Sequence, residues 1–257
     1  MLEGKGAVVT GGGQGIGAAV ARSLAQAGAA VVVAARTRSR IEAVAAELSD
    51  AGHAAWAVPC DVTDEASVRA LAEAAAERLG HVDILINNAG TAHSAPLHKT
   101  TLEDWNRLLA VNATGAFLCA RAFAPGMTQR GWGRIVTIAS TAGLSGGRYV
   151  AAYAASKHAA IGLTRCVAAE VGAAGVTANA ICPGWADTEM THEAIERIVR
   201  QTGRSEDEAL RAILETTNQR RLIAPAEVAN LVLVLCDEAA KGINGQAIVL
   251  DGGGLLA

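Results

Sequence analysis

Residues 7–19 read AVVTGGGQGIGAA, in which a glycine cluster separates a short strand-like run from an alanine-rich helical run. Glycine lets the backbone approach a bound group closely, and a helix that begins in such a cluster directs free N–H groups toward an anion. Gly13, Gly15 and Ala18 fit the dinucleotide pattern G-x-G-x-x-A, and a GxxxGxG variant of that pattern begins at Gly11. The stretch therefore predicts that a dinucleotide pyrophosphate binds at the start of the first helix.

The alternation of strand and helix continues along the whole chain. Short runs rich in valine and isoleucine alternate with longer alanine-rich amphipathic stretches, and each run is bounded by glycine, asparagine or proline. Apolar strands that alternate with helices predict a parallel sheet covered on both faces, so we expect one doubly wound (Rossmann) α/β domain over residues 1–257. The seven predicted strands are residues 7–10, 30–34, 54–59, 84–87, 134–139, 177–181 and 246–250. The predicted helices begin near residues 15, 38, 64, 102, 151 and 226.

Composition argues against several classes of partner. Hydrophobic residues make up 51% of the chain and charged residues 18%, and the net charge of −3 contains no block of like charge, so neither nucleic acid nor a membrane surface is expected as a partner. No apolar run reaches the roughly 18 residues of a membrane span, and the first residues do not resemble a signal peptide. Widely spaced cysteines without a CxxC pair are expected to be buried thiols in a reducing cytoplasm: Cys60, Cys119, Cys166, Cys182 and Cys236.

The end of the second strand bears on the choice of dinucleotide. An NAD-type fold places an acidic residue there to bind the ribose 2′-hydroxyl, whereas this chain has Ala35, Arg36 and Arg38. A missing carboxylate removes repulsion of a 2′-phosphate, and the planar guanidinium of Arg36 can bind that phosphate. The sequence therefore predicts NADP(H). In the alternative interpretation both arginines merely begin a solvated helix, and the cofactor is NAD.

Polar residues follow the next strand ends. Asp61, in CDVTD, either accepts a hydrogen bond from the adenine amine or forms a turn, and Asn87, in NNAG, either ties adjacent strand ends together or forms a turn. Asn112 lies within a long helical stretch, where asparagine indicates either a bend with an exposed carbonyl or a tolerated helix residue.

The sequence YAASK places Tyr153 and Lys157 four residues apart on one helical face, after Ser140 at the end of the fifth strand. An ammonium group near a phenol favours the phenolate and lowers the phenol pKa toward the range useful for proton transfer. Ser140 can hydrogen-bond a substrate oxygen. A Tyr/Lys pair alone is a common surface contact, so its significance comes from the dinucleotide signals around it.

Residues 187–221 interrupt the alternation of strand and helix between the sixth strand and the last helix. The segment is charged and amphipathic, which fits a pair of solvated surface helices. It also follows the carboxyl end of a strand, where ligands bind in open α/β sheets, so we expect it to be a substrate lid.

Three other chemistries are disfavoured. His93 and His98 do not have the spacing of a metal site, and no cysteine or acidic cluster joins them, so no metal is expected. Ser140 lies in ASTAG rather than in a G-x-S-x-G hydrolase elbow. Gly17 is followed by alanine rather than by the lysine and serine or threonine of an NTPase loop.

Taken together, TGGGQGIG, NNAG, the serine, YAASK and CPGWADTEM resemble the short-chain dehydrogenase/reductase family, in family order and spacing over essentially the whole chain. The resemblance implies a catalytic tetrad. Ser140 would polarise the carbonyl, Tyr153 would protonate the developing alkoxide, Lys157 would bind the ribose hydroxyls and lower the tyrosine pKa, and Asn112 would hold a water that resupplies the proton. It also implies a homotetramer with the apolar tail GGGLLA near an interface.

The same resemblance, with the residue readings above, predicts a cofactor site. Its expected members are Gly11, Gly13, Gln14, Gly15, Ile16, Gly17, Arg36, Asp61, Val62, Asn88, Ala89, Gly90, Lys157, Pro183, Gly184 and Thr188. Some NADP(H) members carry a basic residue where this chain has Gln14, so the NADP(H) prediction rests on Arg36.

The substrate is expected to be a ketone or secondary alcohol. The stretches around YAASK, PGWADTEM and QRRLIAPAEV resemble reductases of 3-oxoacyl thioesters, carried on coenzyme A or acyl carrier protein, and of polyketides, and also 3-hydroxybutyrate dehydrogenases. The chain lacks the glutamine, histidine and lysine with which 3-hydroxybutyrate dehydrogenases hold a free carboxylate. Trp185 does match those enzymes, or else it simply packs in the lid. The thioester is therefore expected. One alternative is an NAD-linked secondary-alcohol or 3-hydroxyacid dehydrogenase. The other is a non-catalytic dinucleotide-binding scaffold, which is disfavoured because it predicts loss of the serine, tyrosine or lysine, and none is lost.

Overall fold

The computed structural model describes residues 2–255, which form one seven-stranded parallel sheet with helices on both faces. The strands are β1 (Gly6–Thr10), β2 (Ala30–Ala35), β3 (Ala55–Pro59), β4 (Ile84–Asn87), β5 (Gly133–Ile138), β6 (Val176–Pro183) and β7 (Ala247–Leu250). The helices are α1 (Gly15–Gln26), α2 (Arg38–Asp50), α3 (Glu65–Leu79), α4 (Leu102–Leu109), α5 (Gly115–Arg130), α6 (Ala151–Val171), α7 (Glu189–Thr202), α8 (Glu206–Leu214) and α9 (Pro225–Cys236). The doubly wound fold is confirmed, and every predicted strand lies within two residues of its observed bounds.

The strand order is β3-β2-β1-β4-β5-β6-β7, so the direction of winding reverses between β1 and β4. In open α/β sheets the crevice at such a reversal, outside the carboxyl ends of the strands, is where ligands bind. Thr10, Asn87, Ile138 and Pro183 end the four central strands at this edge. The topology therefore brings together chain segments that are far apart in sequence.

Alternate residues of the strands supply two separate cores. Val9, Val31 and Val33 pack with α1, α2 and α9 on one face, while Val8 and Val32 pack with α3 and α5 on the other. Because strand side chains alternate between faces, a continuous apolar run is required wherever helices cover both faces. Alanine supplies much of the helix-facing surface, which lets the helices lie close to the sheet.

The turn between β1 and α1 is the tightest contact of this edge. A Cβ atom on Gly17 would collide with the carbonyl oxygen of Gly11 and with the amide nitrogen of Asn88. Gly11 itself has a φ of 63°, which disfavours residues with a side chain. These two glycines are therefore required by the close approach of α1 to the strand ends.

The inserted segment, residues 187–221, contains the two surface helices α7 and α8, and its two ends lie side by side. A bridge between Ala186 and Ile223 joins its two ends. Inside it, Ile195, Ala209 and Ile213 form a small apolar cluster separate from the two main cores. The segment thus has few apolar ties to the sheet, which is consistent with either of its interpretations.

Cys166 is exposed rather than buried, because it lies off the stripe of α6 that packs inward through Thr164 and Ala168; the other four cysteines are buried, and all five are free thiols. One helical stretch, Leu102–Arg130, is long and apolar enough to cross a membrane by length and composition, but half of its most apolar window is buried within the protein.

Candidate active site

Two adjoining cavities open at the carboxyl edge of the sheet. The first, of about 240 Å³, lies along the glycine turn, and the second, of about 290 Å³, lies beside Ser140 and Tyr153. Four residues line both of them and join them into one cleft: Ile16, Asn88, Thr188 and Met190. The cleft therefore has one compartment along the glycine turn and one beside Ser140 and Tyr153, in continuous contact.

The structure brings the predicted site residues together. Those that line the first cavity are Gly11, Gly13, Gln14, Gly15, Ile16, Gly17, Arg36, Asp61, Val62, Asn88, Ala89, Gly90 and Thr188. Those that line the second are Ser140, Tyr153, Lys157, Pro183 and Gly184. Asn112 lies outside both cavities but contacts their wall.

The first cavity has the features that a dinucleotide pyrophosphate requires. Gln14 is the N-cap of α1 and makes no side-chain capping bond, and the first turn of that helix contains no acidic residue within the part of the chain that the structure describes. The cradle is narrow, since a Cβ atom on Gly13 would lie 2.9 Å from the Cβ of Arg40. Free N–H groups and the positive end of the helix dipole therefore face a space that only glycine leaves open.

The three arginines near the end of β2 have different partners. Arg38 Nε donates to Glu42 Oε1 at 2.7 Å along α2, and Arg40 Nη1 donates to Glu189 Oε2 at 2.7 Å across the cleft. Arg36 lines the first cavity and, among residues 2–255, forms no ion pair within 4.0 Å. Arg36 is thus the guanidinium available to a ligand, while Arg38 is occupied at the helix start.

The residue that ties the strand ends together is Asn88 rather than Asn87. Asn88 Nδ2 donates to the carbonyl oxygens of Thr10 and Gly11, both at 3.0 Å, and its backbone N–H donates to Thr10 Oγ1. Asn87 is buried, and its Oδ1 has no hydrogen-bond partner in the described residues. The tie that the sequence offered as one of two roles for Asn87 is thus made by Asn88, the first residue after β4, while Asn87 is still within the strand and its side chain stands off one face of the sheet.

Asp61 forms the turn that the sequence offered as one of two roles. Its Oδ1 accepts from the backbone N–H of Thr63 at 2.9 Å and from the Thr63 hydroxyl at 2.7 Å. These bonds, more than the nearby Arg36, lower the pKa of the Asp61 carboxyl. Because the side chain also lines the first cavity, its contact with adenine stays a prediction.

Tyr153 and Lys157 lie on the inner face of α6, behind Ser140. The Lys157 Nζ atom is 5.9 Å from the centroid of the Tyr153 ring and donates to the Ile138 carbonyl oxygen at 2.9 Å. Burial raises the pKa of Tyr153, and a hydrogen bond with Ser140 partly opposes this rise. Burial also lowers the pKa of Lys157 to about 8. The expected lowering of the tyrosine pKa by lysine is therefore not observed, because desolvation outweighs an ammonium group that is bonded to the backbone.

Asn112 lies in a π-helical turn, Ala110–Thr114, which interrupts the helix between α4 and α5. Its Oδ1 accepts from Thr91 N–H at 2.8 Å, and its Nδ2 donates to the Thr91 carbonyl oxygen and to Ser156 Oγ, both at 2.9 Å. The Ser156 hydroxyl in turn donates to the Tyr153 carbonyl oxygen at 2.7 Å. The helix is thus interrupted at Asn112, one of the two possibilities that its residue type indicated, and Ser156 within YAASK links this turn to α6.

The second cavity is mostly apolar away from the catalytic groups. Ala142, Val150 and Trp185 form part of its wall. His93 also lines it, with Nε2 3.7 Å from Asp104 Oδ2. Within the residues that the structure describes, no group of three or more histidine, cysteine or acidic side chains is arranged to hold a metal ion.

Comparison with known proteins agrees with this geometry. Residues 5–198 match the short chain dehydrogenase family. The chain is 37% identical to D-beta-hydroxybutyrate dehydrogenase of Cupriavidus necator over 98% of both chains, and 39% identical to cis-4-hydroxycyclohexanecarboxylate dehydrogenase of Sinomonas cyclohexanicum over 96% of this chain and 95% of the relative. A variant of actinorhodin polyketide ketoreductase solved with NADPH superposes with a TM-score of 0.94 at 36% identity, over 98% of both chains.

The chain therefore belongs to the short chain dehydrogenase family. It is an oxidoreductase that acts on a CH–OH or C=O group, as the sequence resemblance predicted.

The buried ammonium of Lys157 makes the stability of the ligand-free protein depend on pH. The folded pKa of about 8 lies below the ordinary value of 10.5, so between these values the unfolded chain holds a proton that the folded chain has lost. The contribution of Lys157 to stability should then rise with pH across this window. We expect the free energy of unfolding of the wild type, minus that of Lys157→Met, to increase from pH 8 to pH 10 in urea titrations. The exposed Lys99→Met should give a constant difference, and a constant difference for Lys157→Met would contradict the assignment.

Proposed function

We propose that this protein transfers a hydride between NADP(H) and a ketone or secondary alcohol. The observation that carries the proposal is the placement of Ser140, Tyr153 and Lys157 in one cavity that continues into the glycine-turn cavity. When bound, the nicotinamide supplies the hydride, and the protein holds the reactants and moves the proton. A non-catalytic scaffold is disfavoured, because it would not need these three side chains at the junction.

The glycine turn and Arg36 would hold the dinucleotide. The N-terminus of α1 suits the pyrophosphate, and Arg36 suits a 2′-phosphate because it lines the cavity without an acidic partner. Ala35 at the end of β2 leaves no carboxylate there to repel that phosphate. The relative solved with NADPH supports the same choice. Lys157, Pro183, Gly184 and Thr188 are proposed to meet the nicotinamide end.

Tyr153 is the proposed proton donor in the reduction direction. Burial favours its neutral, proton-bearing form, which is the form that a general acid needs. Ser140 would donate a hydrogen bond to the carbonyl oxygen, and a preorganised donor in a dry site stabilises a developing alkoxide strongly. Asn112 is proposed to position the proton supply, because it joins the π-helical turn to the catalytic helix through Ser156.

A 3-oxoacyl thioester is the proposed substrate. The apolar side chains of Ala142 and Val150 in the second cavity suit an acyl chain, and the similarity to a polyketide ketoreductase supports this class. The second candidate is a hydroxyacid dehydrogenase, with NAD as the alternative cofactor. It is favoured by Trp185 in the cavity wall and by two relatives whose names describe the oxidation of hydroxy acids.

The remaining proposals concern assembly and location. The homotetramer implied by the family resemblance would cover apolar side chains that are exposed in the single chain, among them Trp105, Phe117 and Val249. The apolar tail expected at an interface lies partly outside the described residues, which end at Leu255. A cytoplasmic location is proposed from the free thiols.

The role of Tyr153 is tested by Tyr153→Phe. Loss of the phenol oxygen removes the proton donor but little of the cofactor surface, and general acid catalysis contributes on the order of a hundred- to ten-thousandfold. Turnover of a ketone should fall by about that factor while the dissociation constant of NADPH, followed by nicotinamide fluorescence, stays close to that of the wild type. Retention of more than about a third of wild-type turnover would show that the mechanism is wrong.

The role of Arg36 is tested by Arg36→Ala beside Arg38→Ala. A charge-assisted bond to phosphate is worth roughly 1.5 to 3 kcal/mol, so Arg36→Ala should raise the KM for NADPH about ten- to a hundredfold and leave the KM for NADH nearly unchanged. Arg38 is already paired with Glu42 and its side chain is 74% exposed, so Arg38→Ala should change neither. Adding Ala35→Asp to Arg36→Ala should move the preference toward NADH. A wild type that prefers NADH would remove the NADP(H) assignment.

The lid proposal for residues 187–221 is tested by hydrogen exchange. Its few apolar ties to the main cores and the exposed Arg40–Glu189 pair across the cleft should make opening cost little free energy. We expect α7 and α8 to exchange quickly in the free protein and to become protected when NADPH and substrate alcohol are both bound, while β1 and β4 stay protected throughout. Equal protection of α7 in both states would count against a lid.

A further inference from the structure

Arg197 on α7 is a cation in the catalytic cavity that the proposed mechanism does not use. It lines the cavity with Ala142, Val150 and Trp185. Its Nη1 donates to Ser94 Oγ at 3.2 Å, and among residues 2–255 no carboxylate lies within 4.0 Å of its guanidinium. The other cation on the same stretch of helix, Arg200, is paired with Glu196 on the solvent side.

The acidic group beside His93, which lines the same cavity, is already occupied. Asp104 Oδ1 accepts from Arg107 at 2.9 Å, and Asp104 Oδ2 accepts from Thr101 at 2.8 Å and lies 3.7 Å from His93. A half-buried guanidinium in an apolar cavity is costly unless an anion accompanies it. The planar fork of arginine matches the two oxygens of a carboxylate or of a phosphate. The residues around Arg197 therefore provide no anionic partner, and a bound ligand could provide one.

The helix places this cation far from the cofactor end of the cleft. Thr191, Ala194 and Arg197 line the cavity at intervals of three residues, so they lie on one face of α7. Thr188, at the N-cap of the same helix, borders the glycine-turn cavity. Arg197 lies nine positions after Thr188, which corresponds to about 13 Å along the helix axis. Arg197 therefore lies toward the end of α7 away from the glycine turn, in the same cavity that Ser140 and Tyr153 line.

We propose that Arg197 selects substrates that carry an oxyanion at the end remote from the reacting carbon. This inference rests on the proposed function and adds a determinant of substrate class to it. The oxyanion has two chemical sources. One is the carboxylate of a keto or hydroxy acid, and the other is the phosphate in the carrier arm of an acyl thioester. Arg197 discriminates by charge and leaves the reaction at the carbonyl to the catalytic residues.

Matched substrates separate these sources from each other and from a packing role. With NADPH, kcat/KM is measured for 4-oxocyclohexanecarboxylate and its methyl ester, and for acetoacetyl phosphopantetheine and acetoacetyl pantetheine, which lacks the phosphate. The variants are Arg197→Gln, Arg197→Lys as the conservative rescue, and Arg200→Gln as the control. Arg200 is one turn away and its side chain is 67% exposed.

We expect Arg197→Gln to lower the anion-to-neutral ratio of kcat/KM about ten- to a hundredfold in one pair of substrates, with the neutral member changed less than about twofold. The pair that responds identifies the anion. Arg197→Lys should restore part of the ratio, and Arg200→Gln should leave it unchanged. If both ratios are unaffected by Arg197→Gln, or if the neutral substrate declines in parallel with the anion, the proposal is overturned.

A binding measurement separates failure of this proposal from failure of the proposed function. If the wild type reduces none of the four ketones, the proposed function fails, and calorimetry still tests Arg197. In one of two pairs, cyclohexanecarboxylate against cyclohexanecarboxamide or phosphopantetheine against pantetheine, the wild type should bind the anion more tightly, and Arg197→Gln should lose that preference. Equal binding within both pairs by the wild type would overturn the proposal without any reference to turnover.

Discussion

The close approach of α1 to the carboxyl ends of β1 and β4 is the constraint on which this structure depends. Gly17 has no room for a Cβ atom, and Asn88 fills the remaining gap by donating to the carbonyl oxygens of Thr10 and Gly11. The same contact fixes the helix N-terminus at the cleft, opens the glycine turn to an anion and sets the position of the loop that follows β4. Fold and cofactor cradle are thus consequences of one packing arrangement.

Electrostatics divides the cleft into regions with different tasks. At the centre, burial favours neutral forms of Tyr153 and Lys157, and the groups that hold them are backbone carbonyls and hydroxyls rather than carboxylates. At the two ends, Arg36 and Arg197 face the cavities without an acidic partner in the described residues. The two available cations at the ends suit a reaction in which the anionic parts of both reactants lie away from the carbon that changes oxidation state.

Much of the fold and most of the site could be predicted from sequence, because both depend on local patterns. Valine-rich runs between glycine-bounded helices give the strands, and the glycine turn and YAASK place their side chains by fixed spacing along the chain. The errors arose where orientation matters. Asn87 and Asn88 are adjacent in one motif, yet only Asn88, just past the end of β4, bonds the end of β1, and Cys166 lies off the buried stripe of its helix. Ser156 lies within YAASK, but no local pattern indicated that its hydroxyl oxygen accepts a hydrogen bond from Asn112 Nδ2.

The sequence by itself determined the class of fold, the glycine turn and the Tyr153–Lys157 pair, since each is encoded by residues close together in the chain. Only the tertiary structure decided which side chains remain without partners. The sequence singles out Arg36 by its place after the second strand and places Glu42 within reach of Arg38 along the helix, but only the fold gives Glu189 to Arg40 and leaves an open cavity to Arg36. Arg197 likewise is one of several arginines in a charged helix until the fold sets it against Ser94 inside the cavity. Pairing between distant parts of the chain depends on distances across the fold, which a local pattern does not contain.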